Sequence, residues 1–166
     1  MKKITLSILL VIVTILSTAL PAFAAETEPS TIVINDGGTI TYFADGSTLT
    51  ISAVKNVDEP NLVRATTQTV TKSKDVTYKD KSGNLEWKYT LTATFSCESG
   101  VSSTCTKASY STTINDNSWS FSNGSATKSG NVATGNGTFK LIILFITMNT
   151  YNINITLTCD KYGNVT

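Results

Sequence analysis

The sequence predicts an all-β protein, an antiparallel β-sandwich that follows a cleaved signal-peptide helix. Three observations predict this fold class. Apolar residues alternate with polar ones at a period of two, turn-forming residues separate these segments, and no amphipathic helical pattern follows the first 24 residues. The remainder is rich in Thr, Val, Ile and Tyr, a composition that favours strands over disorder.

The first 24 residues have the three parts of an export signal. Lys2 and Lys3 give a positive start, residues 4–16 are apolar, and "AFA" at 22–24 offers small residues to signal peptidase. We expect cleavage after Ala24, so that the mature protein is secreted or extracellular. A retained anchor helix is the alternative. It is disfavoured because the apolar run is short for a membrane span and is followed by a cleavage site.

The mature chain is predicted to carry almost no net charge. Removing 24 of the 166 residues leaves 142, with 11 basic side chains against 12 acidic ones. A chain of this length can bury a sizeable core as one domain. The Lys-rich stretch 72–81 is interrupted by Asp75 and Asp80, which indicates the solvated face of a strand. We therefore expect no nucleic-acid partner.

Residues 25–66 are predicted to form an N-terminal β-meander and a linker. Turn signals at 36–38 and 45–47 divide the meander into three short strands, and Pro60 with its charged neighbours marks the linker. The segment is interpreted as a separate flap, a pro-segment, or extra strands on the main sheet. Because two or three exposed strands are marginally stable alone, we expect them to dock on the main domain.

The β-sandwich domain is predicted to span residues 67–166. Its clearest strand is "LEWKYTLTATFSC" at 85–97, where odd positions are apolar and even positions are mostly polar. A turn at 82–84 joins it to a preceding strand that carries Val76 and Tyr78 inward.

The same alternation continues downstream of that hairpin. The next two strands place apolar side chains on one face: Ala108, Tyr110, Ile114, Trp119 and Phe121. Residues 123–131 are predicted to form a loop. "VATGNGTFK" and "YNINITLTCD" are predicted to pair as a hairpin.

The stretch "FKLIILFITM" at 139–148 is apolar within a polar chain. The favoured interpretation is a core segment, since continuous apolar runs are typical of buried strands. In the alternative, the run is the apolar tip of a hairpin that inserts into a bilayer, docks into a hydrophobic partner or pairs protomers. The residues that would make such a contact are Leu141, Ile143, Leu144, Phe145, Ile146 and Met148.

Three cysteines in the exported part permit one disulfide and one remaining thiol. Cys97 and Cys159 each end an inward-facing set, which favours that pair, whereas Cys97 and Cys105 flank one turn. The third option is Cys105–Cys159. Cys105, Trp119 and Cys159 have a spacing that resembles the Cys…Trp…Cys pattern of immunoglobulin domains, although Leu157 stands where those domains have Tyr.

A second resemblance covers residues 64–166. "WKYTLTATF", "TCTKASYSTTI", "SWSFSNGSATKSGNVATG" and "LTCDKYGN" are similar to a family of short secreted proteins of Gram-positive, clostridia-like bacteria, and "YFADGS" at 42–47 resembles their N-terminal part. That family is of unknown function, so it implies no catalytic residues. It does imply the Cys105–Cys159 disulfide, which leaves Cys97 as the odd thiol. The first resemblance, the Cys…Trp…Cys spacing, implies an immunoglobulin-like β-sandwich.

The sequence lacks the residues of most enzyme classes. It contains no histidine, which removes the usual general base, the His-dependent nucleophile systems and His-based zinc sites. No phosphate-binding glycine loop occurs, and nothing singles out two of the 12 acids as a hydrolytic pair. We therefore expect no catalytic residue, no metal and no cofactor.

These observations favour a secreted, non-enzymatic binding or structural module at the cell envelope or outside the cell. Its partner would be a cell-envelope component or another protein. The alternative is a membrane-active or pore-forming protein that uses the hairpin at 131–159, with membrane contact as the less favoured interpretation. An enzyme with an unrecognised carboxylate or serine site is the third hypothesis.

Overall fold

The computed structural model describes residues 30–33, 37–57 and 67–166. In these ranges the protein is all-β and its sheets are antiparallel, which confirms the predicted all-β, antiparallel class. The predicted signal peptide at 1–24 and residues 58–66 of the predicted linker lie outside the described residues. Within the described ranges, no helix has the length and apolarity needed to cross a membrane.

Ten strands in the described ranges form two antiparallel sheets. They are β1 Ser30–Val33, β2 Thr39–Tyr42, β3 Thr48–Ile51, β4 Lys55–Asn56, β5 Thr67–Lys79, β6 Leu85–Glu98, β7 Ser102–Ile114, β8 Trp119–Ser129, β9 Val132–Ile143 and β10 Ile146–Thr158. Sheet A has the order β1-β2-β3-β5-β6-β7, with β4 also paired to β5, and sheet B has the order β10-β9-β8. From β5 onward the chain is a meander, because each strand pairs with its sequence neighbour and only the β7–β8 link changes sheets. An immunoglobulin domain uses Greek-key connections instead.

The N-terminal strands extend sheet A. β3 pairs with the last residues of β5, and β4 pairs with the middle of β5. The connection between β3 and β4 passes beside Asp75, which lies on the outer face of the sheet and is buried. The Asp75 carboxylate accepts hydrogen bonds from Lys55 Nζ at 2.7 Å and Thr90 Oγ1 at 2.7 Å, and Lys88 Nζ lies 3.1 Å away. Asp75 therefore joins the N-terminal segment to the main sheet.

Aromatic side chains fill the space between the two sheets. Trp87 of β6 stacks on Phe139 of β9, with ring centroids 3.9 Å apart and planes at 8°. Tyr78 of β5 lies beside Trp87 at 5.7 Å. The predicted alternation of β6 is confirmed, since Leu85 is half-buried and the odd-numbered side chains after it are buried: Trp87, Tyr89, Leu91, Ala93, Phe95 and Cys97.

Two glycines of β9 make room for this aromatic packing. A Cβ on Gly135 would lie 2.6 Å from Tyr89 Oη, and a Cβ on Gly137 would overlap the ring of Phe121. Tyr89 Oη donates a hydrogen bond to the Ser125 carbonyl at 3.1 Å, so the tyrosine ring is fixed in place. The small residues in "VATGNGTFK" thus let large rings from neighbouring strands approach the β9 backbone.

The prediction of a loop at 123–131 is wrong. Strand β8 continues to Ser129, and its register with β9 shifts between Ser122 and Ser125. Asn123 has a φ of 54°, and Gly124 lies under the rings of Tyr110 and Phe121. A β-bulge uses the same Asn and Gly residues as a turn, which explains why the composition indicated a loop.

The inward-facing residues of β7 are less buried than the alternation predicts. Tyr110 and Ile114 have the predicted orientation, because they pair with Leu91 and Trp87. They nevertheless stay 39% and 37% exposed. β7 is the edge strand of sheet A, so its side chains have neighbours within the sheet on one side only.

Replacing Gly135 with alanine is expected to destabilise the protein by about 1–3 kcal/mol, the usual range for overpacking a core. The new Cβ would push Tyr89 away from the Ser125 carbonyl. Urea unfolding followed by tryptophan fluorescence measures the effect. Thr134→Ala, a change at the neighbouring position on the opposite face of β9, is the control and should be close to neutral. A Gly135→Ala variant as stable as the parent would contradict the close approach of Tyr89.

Asp75→Asn is expected to lower stability at neutral pH by about 1–3 kcal/mol, because two lysines lose a charged acceptor. Burial raises the pKa of the Asp75 carboxyl, but the hydrogen bonds from Lys55, Thr90 and Lys88 together outweigh it, so its pKa lies below 3.8. The stabilisation is therefore present above the unfolded pKa and is lost as the pH falls through the folded pKa.

The difference in unfolding free energy between the parent and Asp75→Asn should accordingly shrink as the pH falls below about 4. Glu98→Gln, which changes an exposed carboxylate at the end of β6, is the control and should show no such dependence. An Asp75→Asn difference that stays constant from neutral to acid pH would rule out this role for the carboxylate.

Candidate functional site

The apolar residues at 142–148 lie outside the core, so the favoured interpretation of the run as a buried segment is wrong there. Leu141 is half-buried and packs against the core. Every side chain from residue 142 to residue 148 is exposed. The exposed fractions of the Leu144 and Phe145 side chains are 85% and 101%. The other exposed apolar side chains of this segment are Ile142, Ile143, Ile146 and Met148. We call residues 142–148 the apolar tip.

The apolar tip presents apolar side chains on both faces of the β9–β10 hairpin and at its end. Ile143 pairs with Ile146, and the two residues between them make the turn. Ile142 pairs with Thr147 on the opposite face, and the register shift that follows leaves Met148 unpaired. Directly opposed residues share a face, so each face of the hairpin beside the turn carries at least one apolar group.

The base of the hairpin is held firmly by the body of the protein. The Ile142 amide donates to the Ser118 carbonyl at 2.8 Å. On β10, Tyr151 packs among the rings of Tyr78, Trp87 and Trp119, and its hydroxyl accepts a hydrogen bond from Asn149 Nδ2 at 3.1 Å. About three residues of each strand project beyond this base, which corresponds to roughly 10 Å.

The turn of the apolar tip has a backbone conformation that large side chains such as Leu and Phe rarely adopt. Leu144 has a φ of 48° and Phe145 a φ of 67°. Two positive φ angles in a two-residue hairpin turn define type I′, for which Asn-Gly is strongly preferred. A large side chain in the left-handed region costs on the order of 1 kcal/mol or more. The chain therefore keeps Leu and Phe here at a cost to folding, and strain of this kind clusters at functional sites.

The polar surroundings of the apolar tip carry both signs of charge. The neighbouring turns at this end of the molecule contribute Asp80 with Lys81 and, between β7 and β8, Asp116, while Lys140 lies in β9 just before the tip. The end of the molecule therefore combines an apolar projection with a polar rim that carries both signs of charge.

The carboxylates of Glu86 and Asp116 approach each other near this end, but they have structural partners. Burial, and then the Asp116 carboxylate, raise the pKa of Glu86, and Glu86 Oε2 accepts a hydrogen bond from Trp119 Nε1 at 3.2 Å. Asp116 accepts hydrogen bonds from the Ser118 amide and hydroxyl, which lower its pKa. Both groups thus stabilise the β7–β8 turn.

The structure does not support the predicted Cys105–Cys159 disulfide. All three cysteines are buried thiols. Cys159 Sγ lies 3.2 Å from Cys97 Sγ, whereas Cys105 Sγ points to the Lys107 carbonyl at 3.3 Å. Trp119 packs in the aromatic cluster with Trp87 and Tyr78, at the end of the sheets opposite the cysteines. The immunoglobulin-like spacing therefore does not bring Trp119 onto a disulfide.

Among the described residues, no group of three or more His, Cys, Asp and Glu side chains is arranged to hold a metal ion. No family model, curated protein or solved structure matches this chain. The geometry of the apolar tip is accordingly the feature from which a function is inferred.

The double variant Leu144→Asn/Phe145→Gly is expected to stabilise the fold by about 1–3 kcal/mol, because Asn-Gly relieves the conformational strain of a type I′ turn. Chemical denaturation at equilibrium measures the gain. Leu144→Ala/Phe145→Ala is the control, since it removes the exposed apolar groups but keeps side chains at positive φ. If the Asn-Gly variant is no more stable than this alanine control, the turn is not strained.

Proposed function

We propose that this protein is a secreted, non-enzymatic binding module that attaches to the surface of a lipid membrane through its apolar tip. The observation that carries the proposal is the exposure of Leu144 and Phe145 at the end of a firmly held hairpin. Folding favours neither their exposure nor their backbone conformation, so a binding role is the best reason for their presence.

The shape of the apolar tip favours a lipid surface over a protein groove. A docking face for a protein partner needs apolar groups on one side only. Ile143 and Ile146 lie on one face, Ile142 on the other and Phe145 at the end, so the tip is best matched by an apolar medium that surrounds it. Its projection of roughly 10 Å agrees with the depth of about 5–10 Å at which peripheral proteins bury apolar groups in the interface.

The same dimensions favour attachment over pore formation. A membrane-spanning strand needs about 9–11 residues with an apolar outward face. Below the apolar tip, the outward side chains of β9 and β10 are polar: Thr134, Asn136, Thr138, Lys140, Asn152, Asn154 and Thr156. Their inward side chains are occupied by the core. The hairpin therefore suits partial insertion and lacks the apolar length for a crossing.

The energetics support reversible binding. Burying one large apolar side chain contributes about 1.5–3 kcal/mol, so two or three such groups at the apolar tip reach the affinity of one myristoyl chain, on the order of 10⁴ M⁻¹. Since both signs of charge surround the tip, binding should depend little on anionic lipid or on salt.

Secretion and membership in a family of secreted proteins are also part of the proposal. The signal pattern at 1–24 supports secretion, which would bring the apolar tip to membranes outside the cell. Membership in the family of short secreted Gram-positive proteins rests on the four quoted segments of the sequence. An immunoglobulin-like form of the sandwich would rest on the spacing of Cys105, Trp119 and Cys159 alone, and the meander order of the strands gives it no support.

Sedimentation with neutral phosphatidylcholine vesicles tests the proposal. The parent should bind, and Leu144→Asp/Phe145→Asp should reduce the partition coefficient at least 100-fold, because two apolar contributions are lost at about 1.4 kcal/mol or more each. Val101→Asp, which changes an exposed apolar residue at the opposite end of the molecule (67% exposed), is the matched control and should bind like the parent.

Two further measurements separate attachment from its alternatives. The stabilised variant Leu144→Asn/Phe145→Gly should stay folded yet fail to bind vesicles, which excludes misfolding as the cause. Entrapped dye should be retained at protein concentrations that saturate binding, whereas dye release that depends on Leu144 and Phe145 would identify a pore former. If the parent does not sediment with vesicles at any lipid concentration tested, the membrane proposal is wrong.

A further inference from the structure

Two buried cysteines from different sheets meet at the end of the molecule opposite the apolar tip. Cys97 lies near the end of β6 in sheet A, and Cys159 follows β10 in sheet B. Their Sγ atoms are 3.2 Å apart, although the residues are 62 positions apart in the chain. We infer that Cys97 and Cys159 form an inter-sheet disulfide in the mature protein and that Cys105 remains a thiol.

The surroundings of Cys159 fix it in position for this bond. Its amide donates to the Asn131 carbonyl at 3.0 Å. Its carbonyl accepts hydrogen bonds from Ser103 Oγ at 2.6 Å and Asn131 Nδ2 at 2.7 Å. A disulfide needs an S–S distance of about 2.05 Å, so the sulfurs must approach by roughly 1 Å. A movement of that size is within the reach of side-chain rotation.

The same geometry excludes Cys105 from the bond. Cys105 Sγ is directed to the Lys107 carbonyl within its own strand. A register shift between β6 and β7 places Cys105 opposite Phe95, whereas Cys97 is opposite Ser103. Cys105 is therefore not the cross-strand neighbour of Cys97, and the sulfur of Cys159 is already in contact with another partner.

The bond forms by thiol–disulfide exchange with a small-molecule disulfide such as glutathione disulfide. One cysteine thiolate attacks a reagent sulfur, which breaks the reagent S–S bond and releases one thiol. The second cysteine thiolate then attacks the protein sulfur of the mixed disulfide and releases the second thiol. In total two protein S–H bonds are replaced by one S–S bond, so the protein loses two electrons and two protons while the reagent is reduced to two thiols.

Burial affects the reactivity of Cys159. Burial, and then the neighbouring Cys97, raise the pKa of the Cys159 thiol to about 12. In the folded, reduced protein Cys159 is therefore a poor attacking nucleophile, because exchange requires the thiolate. Both sulfurs are buried, so the bond is shielded from reductants once it has formed. It uses no property of the apolar tip and is therefore independent of the membrane proposal, but it rests on the proposed secretion, because disulfides persist in oxidising compartments.

Peptide mapping of the protein refolded in a glutathione redox buffer tests the inference. Trypsin alone leaves Cys97 and Cys105 in one peptide, residues 89–107, so a second cleavage after Glu98 is needed. The unreduced double digest should contain residues 89–98 linked to residues 141–161. A link between 99–107 and 141–161, or between 89–98 and 99–107, would overturn the inference. So would three titratable thiols in the denatured chain.

Thermal unfolding provides a second measurement. Oxidation should raise the unfolding temperature of the parent by on the order of 10 °C, the shift expected for a disulfide that closes a long loop. Cys97→Ser and Cys159→Ser should lose this difference between oxidised and reduced samples, whereas Cys105→Ser, the control at the third buried cysteine, should keep it. A difference that survives in Cys97→Ser but disappears in Cys105→Ser would assign the bond to the other pair.

Discussion

The stacking of Trp87 on Phe139 is the contact on which the two-layer structure depends. Within the described residues no ladder of backbone hydrogen bonds joins sheet A to sheet B, so the sheets are held together mainly by the side chains between them. The rings approach to 3.9 Å, and on the same face of β9 a Cβ at Gly135 would lie 2.6 Å from Tyr89 of the facing sheet and hold the sheets apart. Aromatic residues in one layer thus require small residues in the other.

The same packing gives the molecule two different ends. At one end the aromatic cluster extends through Tyr151 to the base of the β9–β10 hairpin, so the apolar tip is fixed in direction instead of collapsing onto the body. At the other end Cys97 and Cys159 bring the last strand of sheet B against sheet A. On the outer face of sheet A, Asp75 of β5 binds Lys55 of the N-terminal segment and Lys88 of β6. A rigid body between two specialised ends is well suited to present a small contact surface.

The apolar tip is also the place where the sequence departs from what folding favours. A type I′ turn is most stable with Asn-Gly, and water is the wrong solvent for Leu144 and Phe145. Elsewhere in the described chain large apolar residues are mostly inside, and turns such as Asp80–Asn84 use side-chain hydrogen bonds that suit them. Local preferences are thus met in those turns and are not met at the apolar tip.

The sequence by itself determined the class of the fold and the faces of most strands. Alternation is a local property, because successive side chains of a strand must point to opposite faces, and it correctly placed Trp87 and Tyr89 inside. The exposure of residues 142–148, and the choice among the three cysteine pairs that the sequence left open, were decided only by the tertiary structure. The first depends on how far the opposing sheet extends, and the second on which strand lies across from β6. Neither is encoded in the neighbouring residues, so an identical apolar run would form core in a longer sandwich and projects here because the supporting sheet ends first.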